Sequence, residues 1–495
     1  MNKTLILHDL SLLKTQSFID GEWISSDTGH TLAVKNPANG AVIVDVTKCG
    51  ATEAKRMIRA ASAAQKLWAK TNPKDRSKLM RKWYNLVIDN KEDLAQILTA
   101  EQGKPLAEAR AEVVYGANYI EWFAEEAKRI YGDLIPEPTN DKKLFVIKQP
   151  IGVVACITPW NFPCAMLARK IAPALAAGCT VVCKPASETP LSAMALVALA
   201  ERAGIPEGVI NVIVGDPEEI GSELTSNPLV KKLSFTGSTA VGKKIMAASS
   251  STVKRTSMEL GGNAPFIVFD DADIDLAVQG AIASKYRNAG QTCICANRFL
   301  IQSGVYKEFS KKLTDAVGKL SLGLGAAENT SIGPLINEQA ADNVCALIKD
   351  AIGKGATALI GGGRSKLGRN FIEPTVLDNA VKCMRIFSEE IFGPVAPLFK
   401  FNTEAEAIAL ANDTEYGLAA YFYTLDNNRI WRISEQLAYG IVGINESMVS
   451  NEMAPFGGIK QSGQGREGSK YGLDDYLELK YICLGGLESQ DGMFS

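Results

Sequence analysis

The strongest constraint on the fold is a rhythm. Between residues 151 and 237 the chain carries four short apolar runs rich in β-branched residues: GVVACITPW, TVVCKP, VINVIVG and KLSFTG. Stretches of helical periodicity, such as 190–203 and 240–248, alternate with them. A strand that is apolar at nearly every position must be buried on both faces. A parallel sheet covered above and below by helices does this. The rhythm resumes after Gly261-Gly262 with FIVF, a helix predicted over 273–289, RFLIQ and a helix over 306–320. PVAPLFKF, a helix over 404–411, YFYT and GIVGIN follow. The glycine pair is the natural boundary between two α/β units, because the chain changes direction easily there.

Other segments stand outside the alternation. Residues 52–70 form an amphipathic helix with Thr52 as a plausible cap, and 94–131 are largely helical with a break at Gly103-Lys104-Pro105. LFVIKQP (144–150) and YLELKYICL (476–484) read as isolated strands. Their unpaired edges need covering, as another subunit would do.

Composition excludes several function classes. The chain has 495 residues and a formal net charge of -2, so it offers no general field for nucleic acid or anionic lipid. The most apolar stretch, 171–183, contains Pro173, Gly178 and Thr180 and is too short to span a bilayer. The opening MNKTLILHDLSLLKTQSF lacks the pattern of a secretory signal. Ten irregularly spaced cysteines fit a reducing compartment, and the expected location is cytoplasmic. The two histidines, His8 and His30, lie far from any candidate site, and there is no C-x-x-C pair. No metal site is expected, and a histidine-dependent triad is disfavoured.

Two glycine motifs invite over-reading. SGQGREGS holds a G-x-G-x-x-G at Gly463, Gly465 and Gly468, but no room remains downstream for a βαβ unit, so it reads as a flexible turn. GSTAVGKK (237–244) nearly matches a P-loop, yet Lys244 stands where a magnesium-binding hydroxyl is required. An ATPase is thus the competing class of function. What survives is a Gly-Ser turn opening a helix, which suits a dinucleotide pyrophosphate.

The chemistry concentrates in RNAGQTCICANR (287–298), TPWNFP (158–163), KPAS (184–187) and MELGGNAP (258–265). With FIDGEW, EEIFGPVAP and NEMAPFGGIKQSG, these make the chain closely resemble the aldehyde dehydrogenase superfamily along nearly its whole length. Within that superfamily it looks like the succinate-semialdehyde branch. The resemblance implies a Rossmann-type NAD(P)-binding domain (1–128 and 151–262) and an α/β catalytic domain (263–462). It also implies a small β oligomerisation flap and tail (129–150 and 463–495), hence a homo-oligomer.

It implies roles for residues as well. Cys293 is the nucleophile, and the Asn161 side chain and the Cys293 N–H form an oxyanion hole. Glu259 is the general base, natural where no histidine is near, and Lys170 assists proton movement. Thr158, Pro159, Trp160, Asn161, Lys184, Pro185, Ala186, Ser187, Gly237, Ser238, Leu260, Glu390 and Phe392 match cofactor contacts. Glu390 would hold the nicotinamide ribose. Ser187 replaces an acidic residue of many NAD-preferring relatives, so NADP is expected, with NAD as the alternative. Arg169, Arg287 and Ser450 match the pocket for a substrate carboxylate, and glutarate semialdehyde, one methylene longer, is a realistic competitor. Cys295 is either a small packing residue or a redox partner of Cys293 through a reversible disulfide.

Overall fold

A computed structural model describes residues 5–487; residues 1–4 of the expected first domain and 488–495 of the expected tail lie outside the described residues. Two large sheets dominate. The first has eight strands, with Arg255–Glu259, Val230–Thr236, Val153–Ile157, Thr180–Lys184 and Ile210–Val212 running parallel as neighbours in that order. The second has seven strands and is parallel except for Thr357–Ile360. Its centre is Ala296–Gln302, between Val395–Phe401 and Ala264–Val268, with Ala419–Tyr423 next beyond the latter.

The double burial expected of the apolar runs is realised residue by residue. Val153 and Ala155 face one core with Val182, Leu233 and Phe235. Val154 and Cys156 face the opposite core with Val181 and Cys183. Successive side chains of a strand point to opposite faces, so both parities must be apolar. The second sheet is filled by rings, among them Phe266 stacked on Tyr423 with centroids 4.9 Å apart.

Several local expectations are corrected. The first long helix spans Ala51–Trp68 and its cap is Gly50, whose N–H donates to Glu53 at 2.8 Å; Thr52 lies inside the helix. The helix expected over 273–289 stops at Tyr286, and Asn288 and Ala289 take left-handed backbone angles with φ of 51° and 55°. Gly463 and Gln464 are not a flexible turn. They form an edge strand antiparallel to Met258 and Glu259. A Cβ at Gly463 would sit 1.9 Å from the Met258 carbonyl, so only glycine permits that pairing. The helix Ser469–Asp474 packs on the helices Pro163–Ala177 and Leu106–Glu126, so this part of the expected tail joins the first sheet's layers.

The remaining flap is a three-stranded antiparallel sheet of Leu477–Leu484, Lys143–Pro150 and Asp133–Ile135. It leaves Leu134, Leu479 and Tyr481 exposed. Among the described residues, no helix is long and apolar enough to cross a membrane.

Candidate active site

The carboxyl ends of four neighbouring parallel strands meet at one edge of the first sheet. Registers pair Thr236 with Glu259, Phe235 with Ile157, and Ile157 with Lys184. The segments that follow these strands therefore converge, as ligand-binding loops do in open α/β sheets. The second sheet closes the cleft with Cys293, Glu390 and Phe392. A cavity of about 240 Å³ results. Pro159, Trp160, Asn161, Gly237, Ser238, Leu260, Cys293, Glu390 and Phe392 line it, all singled out from sequence. Met166, Thr236 and Gly261 line it too and were not foreseen.

Cys293 lies on a loop held from several sides. The Asn288 N–H donates to Glu108 at 2.9 Å, and the Ile336 N–H donates to the Gln291 side chain at 2.9 Å. The glycine pair makes the approach possible: a Cβ on Gly262 would lie 2.2 Å from the Cys293 carbonyl. Burial, then the negative charge of Glu259 and Glu390, push the Cys293 thiol up to about 12. Asn161 is buried, and its Nδ2 donates to the Gln291 carbonyl at 3.0 Å. A carbonyl can only accept, so this fixes the amide's orientation. It leaves the second N–H of Nδ2 free.

Glu259 ends its strand with 4% exposure, and neither carboxylate oxygen has a hydrogen-bond partner. Burial and the neighbouring Glu467 raise its pKa well above the ordinary carboxylate value. Lys170 does not bond to Glu259. Its Nζ donates to Glu467 at 2.6 Å and to Ser234 at 2.9 Å. Arg169, matched from sequence to the pocket for a substrate carboxylate, is paired within the fold: its Nη2 lies 2.8 Å from a Glu467 oxygen. Its guanidinium sits 4.0 Å from the Phe456 ring centroid. Its Nη1 reaches the Tyr115 hydroxyl at 3.2 Å, and that hydroxyl also contacts Ser450. Arg287 differs. It lies over the Phe162 ring at 5.4 Å and, among the described residues, forms no ion pair.

On the other side of the cavity, Trp160 and Phe392 pack edge to face with centroids 5.6 Å apart. Phe392 is held at a φ of 49°. Glu390 accepts the Gly262 N–H at 3.0 Å, and burial raises its pKa to about 7. Ser238 caps the helix Thr239–Ser249. Lys243, the P-loop-like lysine, donates to Gln461 at 2.6 Å. Lys184 is buried with a single 3.4 Å bond to the Pro185 carbonyl, and burial lowers its pKa. The Thr158 N–H ties that strand end to the Lys184 carbonyl at 3.2 Å. Pro185 and Ala186 continue the same turn, outside the cavity. Ser187 and Glu188 border a separate, more open hollow of about 800 Å³.

The model of the Aldehyde dehydrogenase family matches residues 23–482. This chain belongs to that family. Aldehyde dehydrogenases similar to it include the 3-sulfolactaldehyde dehydrogenase of Pseudomonas putida, 58% identical over 98% of this chain and 100% of that one. The glutarate-semialdehyde dehydrogenase of Pseudomonas aeruginosa is 56% identical over 97% and 100%. The succinate-semialdehyde dehydrogenase of Escherichia coli K12, whose name specifies NADP(+), is 57% identical over 97% and 99%. A crystal structure described as an E. coli NADP-dependent enzyme superposes with a TM-score of 0.96 at 56% identity, covering 97% of this chain and 100% of that one. This confirms the aldehyde dehydrogenase fold.

Cys295 does not border the aldehyde dehydrogenase cavity. It is buried, and its thiol points to the Lys285 carbonyl at 3.5 Å and the Ala296 carbonyl at 3.6 Å. Tyr115 and Glu467 were missed from sequence. Glu467 was hidden in the GREG run set aside as a turn, where one acidic residue among glycines was the available signal.

Proposed function

We propose that the protein oxidises succinate semialdehyde to succinate, with NADP preferred over NAD. The observation that carries this reading is the meeting of Cys293 and Asn161 on one cavity beside the cavity-facing end of the strand that bears Glu259. The Cys293 sulfur adds to the aldehyde carbon, and the carbonyl electron pair moves to oxygen. The free Asn161 N–H and the Cys293 N–H are the donors suited to that oxyanion. Loss of the hydrogen and its electron pair from that carbon leaves a thioester. Glu259 then takes a proton from water, the water oxygen attacks the thioester carbon, and the carbon–sulfur bond breaks, the sulfur regaining a proton from Glu259.

The residues fit a dinucleotide. Trp160 and Phe392 wall an open slot, Lys184 keeps unused donors, and Ser238 opens a helix whose first N–H groups suit phosphate. Bound there, the dinucleotide supplies the acceptor for the hydrogen and electron pair leaving the substrate carbon. Ser187 in place of an acid, together with Lys184, supports NADP. Arg287, which forms no direct ion pair among the described residues and has Glu108 as its nearby acid, supports a substrate with an anionic end.

A second reading is favoured by the relatives. Names specifying 3-sulfolactaldehyde and glutarate semialdehyde occur at 58% and 56% identity, and a sulfonate or a longer acid would also meet Arg287. Initial rates over succinate semialdehyde, glutarate semialdehyde, 3-sulfolactaldehyde and propanal, each with NADP and NAD, separate these readings. Highest kcat/KM for succinate semialdehyde with NADP supports the proposal, and a tenfold preference for another aldehyde or for NAD rejects it. The exposed flap fits a homo-oligomer, and the free cysteines fit a reducing cytoplasm.

A further inference from the structure

The Gly103-Lys104-Pro105 break holds a fully buried cation outside the cavity described above. Lys104 Nζ donates to Glu112 at 2.6 Å and to the Asn161 main-chain carbonyl at 2.8 Å, and lies 3.9 Å from the Phe162 ring centroid. The side chains of Lys104 and Glu112 are 0% and 1% exposed. The other Glu112 oxygen accepts the N–H groups of Cys164 and Ala165 at 3.0 and 3.3 Å. Those two N–H groups open the helix Pro163–Ala177, which begins two residues after Asn161. The pair therefore grips the Asn161 segment from both its carbonyl and the helix that follows.

A closed ring of hydrogen bonds joins this grip to the thiol loop. Asn288 Nδ2 donates to the same Asn161 carbonyl at 2.9 Å and to the Gln291 carbonyl at 3.2 Å. The Asn161 side chain donates to that Gln291 carbonyl at 3.0 Å, closing the ring. One side of the ring carries the Asn161 amide. The other lies two residues before the Cys293 N–H. These are the two donors assigned to the oxyanion, and they come from loops attached to different sheets. Besides Lys104 and Glu112, the charged group bonded to the ring is Glu108, which accepts the Asn288 main-chain N–H at 2.9 Å.

We propose that Lys104, with Glu112, is a positioning residue that sets the distance between the two halves of the oxyanion hole. The inference rests on the oxyanion role of Asn161 proposed above. A merely structural ion pair would hold the helix start and affect binding and stability alike. A positioning pair acts on the step in which charge develops on oxygen, and so acts through Asn161.

The test is a double-mutant cycle on the full enzyme with NADP and its best aldehyde. Lys104→Met leaves Glu112 buried without its counter-ion, which endangers folding. The neutral pair Lys104→Met with Glu112→Gln, and Asn288→Ala, which removes the ring's second donor without touching a charge, therefore accompany it. Loss of one oxyanion donor costs about 10²–10³ in kcat, so Asn161→Ala is expected to fall in that range. The neutral pair is expected to lower kcat at least about tenfold with KM changed less than about threefold. Added to Asn161→Ala, it is expected to cost no more than about threefold again, because the group it positions is gone. Asn288→Ala is expected to behave the same way, less strongly. If the losses multiply, or if the neutral pair and Asn288→Ala keep wild-type kcat while Asn161→Ala does not, the positioning role is overturned and the oxyanion reading stands. If Asn161→Ala itself keeps full kcat, the oxyanion reading fails and takes this inference with it.

Discussion

Replacing Arg287 with alanine tests the substrate assignment most directly, because this arginine has so few other duties. It follows the helix Ile274–Tyr286, lies 5.4 Å from the Phe162 ring centroid, and forms no ion pair among the described residues. Two contributions are lost on truncation. The cation–π contact is worth roughly 0.5–1 kcal/mol and is independent of which aldehyde is bound. A hydrogen bond from the guanidinium to a substrate carboxylate is worth roughly 1.5–3 kcal/mol and exists only for an anionic aldehyde. At about 1.4 kcal/mol per tenfold, kcat/KM should fall about 10–150-fold more for succinate semialdehyde than for propanal. Propanal should lose no more than about fivefold. Most of the difference should appear in KM, and Arg287→Lys should recover part of it, since charge is kept but the planar fork is lost. The assay is the initial rate of reduced-nicotinamide formation at several aldehyde concentrations. Equal losses on the two aldehydes would refute the reasoning. Arg169→Ala should behave differently: it strips Glu467 of one of two buried counter-ions, so both aldehydes should suffer and stability should drop.

Three further outcomes follow from the same geometry. Burial and then the Glu259 and Glu390 charges hold the Cys293 thiol high, so Glu259→Gln should shift the pH profile of iodoacetamide alkylation to lower pH, and an unmoved or alkaline-shifted profile would contradict that account. Burial opposes ionisation of Glu467, but Lys170 and Arg169 outweigh it and hold its carboxyl below the ordinary value. A depressed acid contributes stability above its unfolded pKa that is lost as pH falls through the folded one. Glu467→Gln should therefore cost about 3–5 kcal/mol near neutrality, narrowing toward acid pH, as read by chemical denaturation; a cost that stays constant with pH would count against the ion-pair explanation. Gly262→Ala places a methyl against the Cys293 carbonyl, so turnover should collapse while the cofactor side is less affected, and a variant with normal kcat would show that the loop has slack the geometry does not suggest.

How far the sequence could lead depended on the range of each signal. The strands Val153–Ile157 and Thr180–Lys184 were legible because burial on both faces demands an apolar residue at every step, and that demand is local. Pro159, Asn161, Gly237 and Leu260 follow such strands closely, whereas Cys293, Glu390 and Phe392 precede theirs and were legible only through the resemblance of their motifs. The edge strand at Gly463 was not, since two glycines flanking a glutamine carry no pattern and the pairing is decided by Met258 and Glu259. The same limit explains Arg169. Sequence places Arg169 and Lys170 side by side on one helix, but whether either charge is free depends on Glu467, which meets Lys170 across 297 positions. Likewise Gly103-Lys104-Pro105 reads locally as a break between helices. Its lysine acquires meaning only from Glu112 one way and from Asn161, 57 positions on, the other. Motifs reveal which reactive groups a chain possesses. The counter-ions that set those groups' charge and aim are fixed by tertiary contact: Glu467 claims Arg169, whereas Arg287 forms no direct ion pair among the described residues.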